Sequence, residues 1–275
     1  MTAIQSPRTI GDLVKLVAKH GKKSHFVSGV DPANDRIPTG KVVINIGGVG
    51  AINEIEVAKD KTVIGTGLNL GRLARDADGE NGLLRQAASL IANPLVRNRV
   101  TFLEAMDPDS PYFDITTPLA LLGSKVRLQS PTGKRTVSMQ DYLEGVTNGL
   151  KKGEIPVQIE FPRLPGVERV GFFRVARMSG KGSVSAAARM KLIRNVSKDP
   201  EIVVSSLTLV PFRTKLAEKE IHGQAASEAA IKRASEIAAT EILELGGSKN
   251  AYERSLIEIA VARTLRSIME GSIPP

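Results

Sequence analysis

The stretch NPLVRNRVTFLEAMDPDSPYFD, residues 93–114, decides how this chain is read. It opens with Asn93-Pro94, which ends the helical pattern before it, because the residue preceding a proline is pushed out of the helical region. From Thr101 it reads as a loop of the kind that cradles a cofactor's phosphates and then enters a helix. Such a loop wants two successive glycines, which permit positive φ and let backbone N–H groups approach phosphate oxygens. Those two positions hold Leu103 and Glu104.

Upstream of this stretch, short strands alternate with helices. SPRTIGDLVKLVAKHGKK carries a helix, capped by Ser6 or Thr9, with Ile10, Leu13, Val14 and Val17 at helical spacing and Gly21 as its stop. SHFVSGVD reads as a strand entering a turn, and KVVINIGG as a second strand. INEIEVAKDKTVIGTG alternates apolar and polar residues around AKDK, the pattern of a hairpin. LNLGRLARDADG and NGLLRQAASLIA are helices.

Downstream, TTPLALLGSKVRL predicts a helix turning into a strand, and SPTGKRTVSMQDYL a turn and a further strand. EIPVQIEFPRLPG, VGFFRVARM, SAAARMKLIRNV and EIVVSSLTLV make this middle section sheet-dominated. AEKEIHGQAASEAAIKRASEIAATEIL and KNAYERSLIEIAVARTLRSIMEG are amphipathic helices, expected to cover one face of that sheet. The fold class is therefore α+β, with a boundary between Gly166 and Val170 that gives regions 1–168 and 169–275.

Composition narrows the function. With 275 residues and 41% hydrophobic content, a sizeable core is affordable for one large or two smaller domains. The chain has no cysteine, so it holds no iron–sulfur cluster, disulfide or thiol nucleophile. His20, His25 and His222 have no metal-ligand spacing and read as surface or helix-end residues. The net charge of +9 fits an anionic ligand or an acidic partner, but aromatics are 4% without tryptophan, which argues against nucleic acid. No signal-peptide or transmembrane run is present, so the expected compartment is the cytoplasm.

Several motifs lead elsewhere. Gly65, Gly67 and Gly71 in IGTGLNLG are spaced one residue too long for a dinucleotide fingerprint, and Ile91 stands where that motif wants an acid. They are expected to be tight-turn glycines. The acid pairs Asp107/Asp109 and Asp76/Asp78 read as solvated loop or cap carboxylates rather than as a general acid and base.

Read as a whole, LIANPLVRNRVT resembles the flavin-binding medium subunit of molybdenum hydroxylases, the family of carbon monoxide dehydrogenase and xanthine dehydrogenase flavin chains. That family carries approximately I-A-S-P-Q-I-R-N-V-A-T-I-G-G-N-L followed by S-P-A-A-D-L-P-P-A-L-L-A-L-G. Ile91, Ala92, Pro94, Arg97, Asn98 and Thr101 match in one register, and Ser110, Pro111, Asp114, Leu119, Leu122 and Gly123 continue it. FVSGVDP, VIGTGLNLGRLAR, GKRTVSMQDYLEG, FFRVARM and NAYERSLIEIAVARTL resemble further family segments in order along the chain.

The resemblance implies a two-subdomain FAD-binding fold of the molybdopterin dehydrogenase type, then a C-terminal α+β domain. It implies a chain that relays electrons from an iron–sulfur subunit through FAD to an external acceptor. Molybdopterin and the clusters would sit on partner subunits of a hetero-oligomer, and another chain would oxidise the substrate. No residue here is implied to be catalytic or to bind metal, and neither nucleic acid nor membrane insertion is implied.

The implied cofactor residues are Ser28, Gly29, Val30 and Asp31 in the first cradle, Thr101, Leu103 and Glu104 in the second, and Asp114 and Arg174 near the flavin. Glu104 is the difficulty. A full charge about 4 Å from a phosphate charge, at an effective dielectric of about 20, costs roughly 4 kcal/mol. That is on the order of 1,000-fold in affinity. The alternative is a flavin-free scaffold subunit, in which Phe102 and Leu103 fill the groove. The run from Arg174 to Lys198, rich in Arg and Lys without an acid until Asp199, is expected to be either a solvated basic face or an anion-binding one.

Overall fold

The computed structural model describes residues 4–28, 40–76, 82–91, 93–108, 110–148, 150–151, 153–176, 183–207 and 210–271. They form three sheets with helices between and over them. The first sheet is parallel. Strand β1 (Ile4–Gln5) leads into helix α1 (Ile10–His20), followed by β2 (Ser24–Val27) and β3 (Val42–Asn45), in the order β1-β3-β2. Thr9 caps α1 by accepting the Asp12 N–H, and Gly21 ends it at φ 53°. The apolar stripe Leu13, Val14, Val17 packs with Ile44, Ile46 and Phe26, which fixes the helix on this sheet.

The second sheet is antiparallel, in the order β4-β5-β8-β6-β7. Its hairpin is β4 (Ile55–Val57) and β5 (Lys61–Gly65), closed where the Ala58 N–H donates to the Lys61 carbonyl. Helices α2 (Leu70–Asp76), α3 (Leu83–Leu90), α4 (Pro94–Arg97), α5 (Phe102–Ala105) and α6 (Thr116–Leu121) follow. The chain then returns through β6 (Lys125–Ser130), β7 (Gly133–Ser138), α7 (Met139–Asn148) and the central β8 (Ile155–Pro162). In β6, Val126 and Leu128 are buried while Lys125 and Arg127 face solvent, the alternation of a one-sided strand. The segment MQDYL, read from sequence as part of a strand, is the helix α7, with Met139, Tyr142 and Leu143 buried at helical spacing.

The third sheet is antiparallel, in the order β12-β11-β10-β9, from β9 (Glu168–Ala176), β10 (Ser183–Ile193), β11 (Val196–Ser205) and β12 (Phe212–Arg213). Helices α8 (Lys215–Ile221), α9 (Glu228–Leu245) and α10 (Ala251–Glu270) close the chain. The expected single helix from Ala217 to Leu243 is two, interrupted at Gly223, whose φ of +76° a helix cannot hold. Val184, Ala186, Ala188 and Met190 point to α9 and α10, as expected of closing helices on one face. Ala187 and Val203 point the other way, into a core that includes Leu84, Leu119 and Phe161. Gly171 lets α10 lie close on β9, because a Cβ there would stand 2.7 Å from Ser267 Oγ and 2.9 Å from the Thr264 carbonyl.

Gly65 and Gly67 do lie in a turn, closed by the Leu68 N–H on the Gly65 carbonyl, whereas Gly71 lies in α2, and all three also serve close packing. None has a positive φ. An added Cβ would run into the backbone of Ile52 at Gly65, the side chain of Asn53 at Gly67 and that of Asn98 at Gly71. At these three positions glycine answers to packing, whereas Gly82, at φ +79° with open space around it, answers to backbone freedom.

Candidate flavin site

The chain from Thr101 to Met106 is a single capped turn of helix, not a glycine loop. Thr101 is extended, at φ −80° and ψ 158°, and its hydroxyl accepts the Glu104 N–H at 3.1 Å. The Glu104 carboxyl reaches back to the Thr101 backbone N–H. This reciprocal pair is a capping box, the arrangement that Thr-x-x-Glu forms at helix starts. Phe102 to Ala105 are helical and Met106 is at φ −86°, so no residue of this turn occupies a backbone conformation that demands glycine. Leu103 and Glu104 are accommodated because this turn needs no positive φ. The signal was legible as Thr101-Phe102-Leu103-Glu104, but aligning it against Thr-Ile-Gly-Gly draws the eye to what is missing.

Tertiary contacts hold the turn. The Phe102 N–H donates to the Leu68 carbonyl at 2.6 Å and the Leu103 N–H to the Thr66 carbonyl at 2.7 Å. The Phe102 side chain enters the core with Leu68 and Leu119, whereas Leu103 enters the one built by Leu13 and Ile44. The turn also packs against β2, whose C-terminal end runs into Ser28. Ser28 is half-buried there. Gly29, Val30 and Asp31 lie outside the described residues, as does Asp109.

Glu104 is half-buried and no cation of the described residues pairs with it. Burial raises its pKa to about 7, the Thr101 N–H opposes that rise, and Asp107 adds to it. Tyr112 lies close enough to interact with both Glu104 and Arg174; burial, chiefly, holds its phenol above the ordinary value.

Asp114 lies in a 3-10 turn from Phe113 to Ile115. Its Oδ2 accepts Arg174 Nε at 2.8 Å and Ser183 Oγ at 2.6 Å. The Asp114 and Arg174 side chains are 3% and 13% exposed. Arg174 also reaches the Pro111 carbonyl at 3.5 Å. Thr117 and Ser185 share a buried hydrogen bond of 2.8 Å nearby. Sequence reasoning names Asp114 and Arg174 but not their partnership, nor Ser183, Thr117 and Ser185. These groups tie the 113–117 segment to β9 and β10, and only a register of strands brings them together.

Of the five described basic residues in the run from Arg174 to Lys198, which include Arg194 and Lys198, three are paired with acids. Arg174 holds Asp114, Arg189 holds Glu168 and Glu201, and Lys191 holds Asp199. Arg177 and Lys181 lie outside the described residues.

Residues 1–164 match the family described as the FAD binding domain in molybdopterin dehydrogenase. The chain is 25% identical over 232 residues to the glyceraldehyde dehydrogenase medium chain of Sulfolobus acidocaldarius, covering 80% of this chain and 81% of that one. It is 25% identical to the xanthine dehydrogenase FAD-binding subunit of Escherichia coli O157:H7, over 77% of this chain and 76% of the other. A carbon monoxide dehydrogenase chain from Hydrogenophaga pseudoflava has the same fold, with a TM-score of 0.79 at 21% identity, covering 97% of this chain and 96% of that one. Quinoline 2-oxidoreductase from Pseudomonas putida 86 gives 0.81 at 19% identity, over 100% and 99%. This chain belongs to the FAD-binding family of molybdopterin dehydrogenases, as a medium, flavin-type subunit.

The residues of the second cradle fit FAD in an altered way. Phe102 and Leu103 are buried, at 0% and 6% exposure, and enter two different clusters of the core. The Thr101, Phe102, Leu103, Glu104, Ala105 and Met106 N–H groups are all satisfied within the chain. A pyrophosphate at this turn would therefore meet side chains rather than free backbone donors. Burial, which raises the Glu104 pKa to about 7, leaves the acid only partly ionised near neutral pH and so lessens the charge penalty.

Proposed function

We propose that this chain relays electrons from an iron–sulfur subunit through FAD to an external acceptor, within a hetero-oligomer whose molybdenum subunit oxidises the substrate. The observation that carries it is a family match over residues 1–164 in which the rebuilt second cradle still packs beside the end of β2, where the first begins. The chain divides at 168/169 into a FAD-binding region and a C-terminal α+β domain. Ser28, Gly29, Val30 and Asp31 hold the pyrophosphate with backbone donors. Thr101, Leu103 and Glu104 form the facing wall: Thr101 and Glu104 lock it, and Leu103 anchors it in the core.

The Asp114–Arg174 pair stands at the flavin end. It fixes the 113–117 segment against β9 and β10, so that Tyr112 is held in place. FAD, when bound, accepts an electron pair and releases it singly or together. This chain's residues would bind and orient it. The molybdenum cofactor and the iron–sulfur clusters belong to partner subunits. No helix of the described residues is long and apolar enough to cross a membrane, and the complex works in the cytoplasm.

The test uses the complex purified with its partners. Removing FAD while iron and molybdenum are retained abolishes reduction of an external acceptor, and added FAD restores it. Unchanged acceptor reduction in the stripped complex would remove this chain from the electron path.

A further inference from the structure

Glu104 stands where a bulky acid is least expected in a phosphate-binding wall, and its surroundings give it an unusual set of neighbours. One carboxyl oxygen faces the Thr101 N–H. The titratable groups around it are Asp107 on its own segment, Tyr112, and Asp114 on the 3-10 turn packed against α5, which Arg174 already holds. From β2, packed on its other side, the titratable residue is His25, which burial and Lys41 keep toward its uncharged form. The Thr66–Leu68 segment contributes carbonyls and no charge. Glu104 therefore has two acids and a phenol nearby and no cation among the described residues to offset its charge. Burial without a cation favours the protonated acid.

We propose that Glu104 binds FAD as an uncharged carboxylic acid, one oxygen accepting the Thr101 N–H and the other donating its proton to the pyrophosphate, so that FAD binding takes up a proton. The inference rests on the reading of this chain as a flavin subunit. It explains how the wall serves a dinucleotide although its backbone N–H groups are spent: the donor lost with the glycines is returned as a carboxyl O–H. A bound pyrophosphate strengthens the arrangement, because its charge disfavours the carboxylate still further. The burial that brings the Glu104 pKa to about 7 sets the window in which the linkage is visible.

The test titrates FAD into the flavin-free full-length chain by calorimetry from pH 5.5 to 8.5, in pairs of buffers that differ in ionisation enthalpy. The inference expects an affinity that is level at the acid end and falls about tenfold per pH unit above about pH 7. Close to one proton is taken up per FAD at the alkaline end. Glu104→Gln keeps the capping geometry and an N–H donor but does not titrate. It is expected to bind FAD with a level pH profile and no proton uptake. Identical pH profiles in the two proteins, or no uptake by the unaltered chain, overturn the inference while leaving the flavin reading intact. Absence of FAD binding by the unaltered chain at every pH overturns both. Should Glu104→Gln fail to fold, the proton count of the unaltered chain decides alone.

Discussion

Glu104 and Asp114 are both carboxyl groups withdrawn from water, and their surroundings differ in one respect. Asp114 faces a guanidinium and a hydroxyl at 2.8 and 2.6 Å. Glu104 faces a single backbone N–H. The first is a closed account in which every strong donor has its acceptor, and it joins two regions of the chain. The second keeps a free oxygen, a near-neutral pKa and a position beside the candidate ligand. Burial with a cation makes a structural clamp, whereas burial without one makes a titratable group.

The contrast is broken most severely at Asp114. Asp114→Ala leaves Arg174 charged, 13% exposed and unpaired, and is expected to cost about 3–5 kcal/mol in denaturant unfolding. A loss below 1 kcal/mol would show that the clamp is ornamental.

Glu104 gives the next effect, with a sign that depends on pH. Its folded-state pKa, about 7, lies above the ordinary 4.5, so the folded chain retains a proton that the unfolded chain releases. The stability this contributes is full below about pH 4.5 and is lost as pH rises toward 7. The loss is roughly 3 kcal/mol at most, and less once solvent screening is allowed for. Glu104→Gln should therefore match the unaltered chain in acid and exceed it in stability at pH 8. Parallel pH–stability curves would contradict this.

Smaller effects sharpen the packing side of the comparison. Gly171→Ala brings a Cβ to 2.7 Å from Ser267 Oγ and 2.9 Å from the Thr264 carbonyl, and overpacking of this kind costs about 1–3 kcal/mol. Ser267→Ala in the same chain relieves one of those contacts, so it should recover part of the loss in a double-mutant cycle. Thr101→Ala removes the cap of α5 and is expected to cost about 1 kcal/mol. In the flavin-loaded chain it should also loosen FAD, because the same hydroxyl fixes the wall that carries Glu104.

Much of this molecule is written in local pattern. The helix from Ile10 to His20 declares its cap, its apolar stripe and its stop, and the hairpin around AKDK declares its alternation. The family is carried by many short segments in order. What the sequence conceals is set by distant contacts. Gly65, Gly67 and Gly71 look like turn residues, because nothing local shows that Ile52, Asn53 and Asn98 will press against them. MQDYL alternates well enough to pass for a strand until Tyr142 and Leu143 are seen packed in the core. Arg174 and Glu104 are visible as charges, but which one meets a counter-charge depends on how β9 and β10 align with the 113–117 segment. The capping box at Thr101 was local and legible, and was obscured by the glycines that the family resemblance leads one to expect there.

The central claim is that the turn from Thr101 to Ala105 is a rebuilt wall of a working flavin site. The direct measurement is FAD released per chain when the complex, isolated gently with its partners, is denatured and its small molecules are quantified. About one FAD per chain is the result expected of a rebuilt wall. A complex that retains iron and molybdenum but releases no FAD would mean that the capped turn is what remained when the site was abandoned, and that electrons leave by another route.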